Sequence, residues 1–322
     1  MLNKIIFHSM LLTSLVGGAS ANATIPLNSN LESIKETFVP SGEAKLFCRS
    51  AGKGKPLIII HGSPGLSQDY LLPQMYELAH DNFVIFYDQR GCGKSTTNIN
   101  AETITIKSFI EDIEAIRLAY NLDKISILGH SWGGFLGMQY AIKHPEHVDK
   151  LILSNSAPAT SELYALFFQE YMKRMVLIQK ELDRLTNSQE FRDGNTSVIE
   201  QFYRLIFRQF CYSPEKANLL DLYMNPLASI NGAKVSEILN ANVLGKPFDL
   251  NKSLNDLQIC TLIVHGDVDP VPQIAAKNIH ENIPGSKYIL MKNCGHLPFV
   301  EDPVTYFKHI HEFLNRPLAE GN

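Results

Sequence analysis

Continuous apolar runs alternate with amphipathic stretches along the first half of the chain. The runs Pro56–Ile60, Phe83–Tyr87 and Ile125–Leu128 are typical of parallel strands covered on both faces. Residues 68–80 are expected to be helical, and apolar residues recur at helical spacing over residues 106–120. This alternation predicts an α/β protein with a doubly wound, mostly parallel sheet.

The alternation stops in the middle of the chain. Over residues 157–250 no sheet-like run occurs, and aromatic and helix-forming residues dominate. Strand-like runs resume at Cys260–His265 and Lys287–Met291. We therefore expect a helical cap, residues 157–250, inserted between two parts of one core, residues 24–156 and 251–322.

The first 23 residues have the pattern of a secretory signal peptide. A positively charged start, Met1–Lys4, precedes the mostly apolar stretch Ile5–Val16 and the small-residue site Ala21-Asn22-Ala23. The apolar stretch is shorter than the roughly 20 residues that a membrane span needs. The pattern predicts export to the periplasm or the extracellular space without stable membrane insertion after cleavage. An uncleaved anchor is the alternative.

Composition narrows the class of protein. The chain has 322 residues, of which 45% are hydrophobic and 19% charged, and its formal net charge is -4. These values are typical of a globular protein with a large core. Because no basic cluster is present that would follow a phosphate backbone, a nucleic-acid partner is not expected. The five cysteines are odd in number, so they cannot all pair within one chain.

The strongest chemical motif is Gly129-His130-Ser131-Trp132-Gly133. It directly follows the apolar run that ends at Leu128 and opens a helix-like stretch. A G-x-S-x-G sequence between a strand and a helix is typical of a sharp turn that exposes a nucleophilic serine. We therefore predict that Ser131 is a catalytic nucleophile.

The partners that a serine nucleophile needs follow in the sequence. A base must take the serine proton, and a carboxylate must orient that base. His296 follows the run Tyr288–Met291 and is the predicted base. Asp267 and Asp269 both follow the run Thr261–Val264; we favour Asp269, which lies at the turn before a proline, and keep Asp267 as the alternative.

A tetrahedral intermediate requires two backbone N–H donors. Trp132, the residue after the nucleophile, supplies one of them. The second is expected from the loop His61-Gly62-Ser63-Pro64-Gly65. Because proline has no N–H, Ser63 is the natural donor.

Two other patterns do not develop into sites. Gly93-Lys94-Ser95 is similar to the end of a phosphate-binding loop, but Asp88 stands where that motif requires glycine. Neighbouring histidines such as His144 and His147 lack the carboxylate or cysteine spacing of a metal site. We expect neither a metal nor a cofactor.

Together these motifs resemble the proline iminopeptidase family of α/β-hydrolases, which includes the tricorn-interacting aminopeptidases. The predicted triad follows the order serine, aspartate, histidine along the chain, which is the order typical of the α/β-hydrolase fold. The stretch that separates this family from generic esterases is Asp88-Gln89-Arg90-Gly91-Cys92-Gly93-Lys94-Ser95. The similarity runs from about residue 40 to residue 315 and is strong in the core and weak in the cap.

The resemblance implies a serine aminopeptidase that releases an N-terminal proline or small apolar residue from short peptides through an acyl-enzyme. In that family, glutamates of the cap hold the substrate's α-amino group, and Glu200 and Glu237 are the matching positions here. Two residues depart from the family's pattern: Ser63 replaces a glycine, and His130 stands where many members have glycine or glutamine.

Two alternatives remain open from the sequence. The same triad could serve a carboxylesterase, lactonase or amidase that does not recognise a free amino group. A ligand-binding α/β-hydrolase without catalytic activity is the third possibility, although an intact Ser131, Asp269 and His296 argue against it.

Overall fold

The computed structural model describes residues 34–63, 65–222 and 225–316, and the predicted signal peptide lies outside the described residues. The strands are β1 (Lys35–Ser41), β2 (Ala44–Ala51), β3 (Lys55–Ile60), β4 (Asn82–Tyr87), β5 (Ile125–His130), β6 (Val148–Ser154), β7 (Cys260–Gly266) and β8 (Lys287–Met291). The helices are α1 (Ile106–Ala119), α2 (Trp132–Lys143), α3 (Ser161–Val176), α4 (Gln179–Thr186), α5 (Gln189–Arg192), α6 (Thr196–Phe210), α7 (Pro226–Leu239), α8 (Asn251–Asn255), α9 (Gln273–Asn282), α10 (Pro298–Glu301) and α11 (Pro303–Leu314). Short 3₁₀-helices cover Gln68–Leu71, Gln74–His80, Pro145–His147 and Pro214–Leu219, and a π-helix covers Asn240–Leu244.

In the described part of the chain, eight strands form one sheet in the order β1-β2-β4-β3-β5-β6-β7-β8. The pairs β1–β2 and β2–β4 are antiparallel, and the other neighbours are parallel. The prediction of a mostly parallel, doubly wound α/β sheet is therefore confirmed. Because the parallel strands end at the same edge, the loops after β3, β5 and β7 gather there.

Strand β3 shows why its sequence is continuously apolar. Leu57 and Ile59 point to one face of the sheet and Ile58 and Ile60 to the other, and all four are fully buried. Each face packs into its own hydrophobic cluster, so neither set of side chains reaches solvent. A strand covered on both faces has no polar alternation.

The segment from residue 68 to residue 80 differs from the predicted helix. It forms two 3₁₀-helices that are separated at Leu72 and Pro73. Proline lacks the N–H that an α-helix would need at this point, so the helical segment is interrupted. The first of the two helices carries Tyr70 into the site region.

Helices α3 to α7 lie between β6 and β7 in the chain. Helix α7 approaches the loop after β3 so closely that a Cβ on Gly65 would lie 2.9 Å from the Cα of Gly232. Within the described residues, no helix has the length and apolar character of a membrane span.

Candidate active site

Ser131 lies at a sharp turn between β5 and α2. Its φ of 55° and ψ of -120° are strained for a residue with a side chain. The turn is held because the Ser131 N–H donates to the carbonyl oxygen of Ser154 at 3.1 Å, and the Ser131 carbonyl accepts from Gly134 N–H at 2.9 Å. A Cβ on Gly129 would lie 2.3 Å from the carbonyl oxygen of Gly133, so only glycine fits before this turn.

Asp269 and His296 are in direct contact. Both carboxylate oxygens of Asp269 lie 3.0 Å from His296 Nδ1. Burial alone would raise the pKa of Asp269, but the neighbouring imidazoles of His296 and His265 and the hydrogen bonds from His296 and Asn155 outweigh it and lower the pKa to about 2. Asp269 is therefore ionised at neutral pH and fixes the orientation of the His296 ring.

Asn155 fixes the position of the Asp269 carboxylate. The Asn155 side-chain amide donates to Asp269 Oδ2 and, at 2.9 Å, to the carbonyl oxygen of Gly295. Asn155 follows β6 with a φ of 47°, in the left-handed region that asparagine tolerates. One amide thus joins the aspartate loop to the histidine loop.

Asp267 has other partners. Its Oδ1 accepts the Cys294 N–H at 3.3 Å, and its Oδ2 lies 3.7 Å from Lys292 Nζ. The structure therefore places Asp269, and not Asp267, against the His296 ring.

The backbone around His296 is attached to the end of α6. The His296 N–H donates to the carbonyl oxygen of Phe210 at 2.8 Å. The Glu301 carboxylate accepts from Gly295 N–H at 2.7 Å and from Tyr212 N–H at 2.6 Å. The loop that presents the imidazole is thus held by both the cap and the core.

The two residues predicted to donate to an oxyanion are Trp132 and Ser63. Trp132 opens α2, so its N–H has no acceptor within the helix. Ser63 has a φ of 35°, a left-handed conformation that glycine would adopt at lower cost. Both residues line the same cavity as Ser131 and His296.

This cavity has a volume of about 800 Å³ and is enclosed mainly by the cap. Most of its wall is aromatic or aliphatic, from Tyr70, Trp132, Tyr164, Phe167, Tyr171, Phe191, Ile199, Phe202, Tyr203, Ile206, Phe207, Phe210, Ile230 and Leu244. Besides histidine, the charged side chains that line it are Arg192 and Lys234. Among the described residues of the wall, none is an aspartate or a glutamate.

Comparison with known proteins identifies the family. A sequence profile of the alpha/beta hydrolase fold matches residues 55–303. A proline iminopeptidase of Heyndrickxia coagulans is 31% identical over 82% of this chain and 92% of its own length, and one of Saccharolobus solfataricus is 30% identical over 88% and 92%. The chain belongs to the proline iminopeptidase family of α/β-hydrolases. As a member of that family, it is a serine hydrolase.

A solved structure agrees at the level of the fold. The proline iminopeptidase of Mycobacterium smegmatis superposes with a TM-score of 0.63, covering 87% of this chain and 97% of that one at 21% identity. At this identity the likeness concerns the fold alone.

In the structure, side chains of the iminopeptidase-type D-Q-R-G stretch form hydrogen bonds that hold neighbouring loops together. Asp88 accepts hydrogen bonds from Gln68 N–H at 3.0 Å and Lys94 N–H at 2.7 Å. Gln89 donates to the carbonyl oxygen of His61 at 2.6 Å and accepts from Trp132 Nε1 at 3.0 Å. Gln89 therefore joins the two segments that carry the predicted oxyanion donors.

The predicted amino-group ligands are the residues that the structure does not bring to Ser131. Glu200 pairs with Arg204 at 2.6 Å, one turn away on α6, and its side chain is 40% exposed. Glu237 is exposed on α7. Neither lines the cavity.

Glu114, His144 and His147 bring possible metal-ligand atoms within 4.8 Å of one another. The Arg117 guanidinium already holds both oxygens of Glu114, at 2.6 and 3.0 Å. Tyr140 Oη also donates to Glu114 at 2.6 Å. These bonds give the carboxylate a structural function in this structure.

Three residues that support the site received no role from the sequence: Asn155, Gln89 and Glu301. Gln89 lies in the D-Q-R-G stretch, which marks the family but does not indicate that this side chain joins the two predicted oxyanion segments. Asn155 contacts Asp269 and Glu301 contacts Tyr212, both far away in the chain, and no local pattern marks these roles.

Proposed function

We propose that this protein is a serine aminopeptidase that cleaves short peptides after an N-terminal proline or small apolar residue. The observation that carries the proposal is the arrangement at the sheet edge: Ser131 and His296 line one cavity, and Asp269 is bonded to His296. Proline iminopeptidases of about 30% identity over most of the chain support the substrate class.

In the proposed reaction, Ser131 Oγ attacks the scissile carbonyl carbon while His296 Nε2 takes its proton. The N–H groups of Ser63 and Trp132 stabilise the developing oxyanion. His296, held by the ionised Asp269, then protonates the leaving amine, and the acyl group stays on Ser131. Water, deprotonated by His296, releases the acyl group and restores the serine.

A second candidate function follows from the cavity wall. A free α-ammonium group would enter a space lined by Lys234 and Arg192 and by no carboxylate among the described residues. Opposite charge favours recognition, and like charge opposes it. This observation favours an esterase or amidase acting on apolar substrates without a free amine.

The experiment compares hydrolysis of proline-naphthylamide with that of its N-acetylated form, with Ser131→Ala as the inactive control. Faster cleavage of the free amine supports the aminopeptidase. Equal cleavage of both, or cleavage of p-nitrophenyl acetate only, supports the second candidate.

The role of Glu200 and Glu237 remains a prediction that the same substrates test. If either glutamate binds the amino group, Glu200→Gln or Glu237→Gln raises KM for the free amine and leaves p-nitrophenyl acetate hydrolysis unchanged. Glu162→Gln is a matched control on another cap helix. An unchanged KM in both variants would remove these residues from substrate binding.

We further propose that residues 1–23 direct export and are removed. N-terminal sequencing of protein from the periplasm or medium tests this: a mature chain that begins at Thr24 is expected, and intact protein retained in the cytoplasm contradicts it.

A further inference from the structure

A chain of buried hydrogen bonds connects the oxyanion loop with the predicted catalytic histidine. The Gly62 N–H donates to Tyr70 Oη at 2.7 Å. Tyr70 Oη lies 2.6 Å from His130 Nδ1, and His130 Nε2 lies 2.8 Å from the carbonyl oxygen of His296. The proposed reaction uses neither Tyr70 nor His130.

The bonds fix the position of every proton. Burial raises the pKa of Tyr70, so its hydroxyl keeps its proton and donates it to His130 Nδ1 while its oxygen accepts from Gly62. Burial, together with the neighbouring His296, lowers the pKa of His130 to about 3, so that ring is neutral. Its one proton must then be on Nε2, where it is donated to the His296 carbonyl.

The chain of hydrogen bonds from Gly62 to His296 is tightly enclosed. The side chain of Tyr70 stacks on Phe207 with ring centroids 5.8 Å apart, and the His130 ring meets Phe299 edge-on at 5.4 Å. A Cβ on Gly62 would lie 2.8 Å from Ser131 Cβ, so the loop touches the nucleophile turn. A shift of Gly62 would therefore displace Ser63 relative to Ser131.

We propose that Tyr70 and His130 are positioning residues that hold the oxyanion loop and the His296 backbone at a fixed separation across Ser131. Gly62 carries the loop side of this link, one residue before the Ser63 donor. The carbonyl of His296 carries the other side, while its N–H is held by Phe210. The proposal rests on the proposed serine chemistry, because the two positions that the link holds matter only if Ser131 is the nucleophile.

The test compares Tyr70→Phe, His130→Leu and His130→Gln. Tyr70→Phe keeps the ring and removes the central hydroxyl. We expect kcat to fall about 10- to 100-fold in Tyr70→Phe and His130→Leu with KM changed less than about threefold, because small displacements of reacting groups have effects of this size. His130→Gln should recover most of the loss, since a carboxamide can accept from Tyr70 and donate to the His296 carbonyl.

Tyr140→Phe is the matched control. It removes a hydroxyl from an equally buried tyrosine that bonds to Glu114, away from the cavity. We expect its kcat to stay within about twofold of wild type, because it leaves the link to the reacting groups intact. A kcat in Tyr70→Phe that matches this control, or a loss confined to thermal stability or to KM, would overturn the proposal.

A second measurement does not depend on activity. Nitrogen NMR of protein with ¹⁵N-labelled histidine reports the tautomer of each ring, and His130 is identified from its absence in His130→Gln. We expect His130 to be protonated at Nε2 alone; protonation at Nδ1 would refute the proposed hydrogen-bond link whatever the kinetics of the variants. Failure of wild-type Ser131 to react with a fluorophosphonate would instead refute the serine chemistry.

Discussion

The buried ion pair of Arg90 and Asp112 allows a quantitative test of the D-Q-R-G stretch. Arg90 Nε and Nη2 donate to the two oxygens of Asp112 at 2.8 and 2.6 Å, and the two side chains are 5% and 0% exposed. Arg90 also donates to the carbonyl oxygens of Thr103 and Ser108. Asp112→Ala would leave a buried guanidinium without its counter-charge, at a cost of about 3–5 kcal/mol of unfolding free energy.

The assay is urea unfolding followed by circular dichroism, with Arg90→Met and the double variant completing a cycle. Removing both charges should cost clearly less than the sum of the two single losses, because neither charge is then left alone. Glu111→Ala is the control, since Glu111 pairs with Lys107 on the exposed face of the same helix, and about 0–1 kcal/mol is expected. A loss in Asp112→Ala no larger than in the control, or strict additivity, would refute the reasoning.

Four further predictions concern the site itself. Asp269→Asn should lower kcat by about 10⁴-fold with the fold intact, because the His296 tautomer is no longer fixed; unchanged kcat would assign the orienting role elsewhere. Folding lowers the pKa of Asp269 from 3.8 to about 2, so the ionised carboxylate stabilises the fold above pH 4 by on the order of 2 kcal/mol. This stability is lost as the pH falls towards 2. Urea midpoints measured over this range should therefore fall less steeply in Asp269→Asn than in wild type. Ser63→Gly should raise the free energy of unfolding by about 1 kcal/mol, since it relieves a positive φ, and should keep kcat within about threefold; a destabilised variant would show that the serine side chain has a role of its own. Gln89→Leu should reduce kcat about tenfold and stability by about 1–3 kcal/mol, because Trp132 Nε1 and the His61 carbonyl lose their partner; wild-type kinetics and an unchanged urea midpoint would contradict this.

The core could be predicted because its signals are local. The run through Ile58 and Ile59 is apolar at every position since both faces of β3 are covered. Ser131, Asp269 and His296 each follow a strand, and the carboxyl ends of parallel strands meet at one edge. Sequence order therefore indicated which residues would gather, although it left Asp267 and Asp269 as alternatives.

The cap and the supporting contacts could not be predicted in the same way. A helix with polar residues on several faces does not indicate which face will meet the cavity. Nothing in the sequence of α6 therefore showed that Phe202 lines the cavity and that Glu200, predicted from the family resemblance, does not. Asn155 and Tyr70 matter through partners more than fifty residues away in the chain. Such contacts depend on tertiary structure, which propensity and periodicity do not contain.

The attachment of the His296 backbone to Phe210 at the end of α6 has a consequence for how such enzymes diversify. The cap is inserted in one place in the chain, which suggests a module that could be exchanged between relatives. Here, however, a cap taken from a relative would also replace two groups that hold the loop of His296. These are the Phe210 carbonyl, which accepts from the His296 N–H, and the Tyr212 N–H, which donates to Glu301. A chimera that changes specificity by replacing α3 to α6 must therefore keep residues 210–213, or it will disturb His296, the predicted catalytic base, together with the substrate pocket.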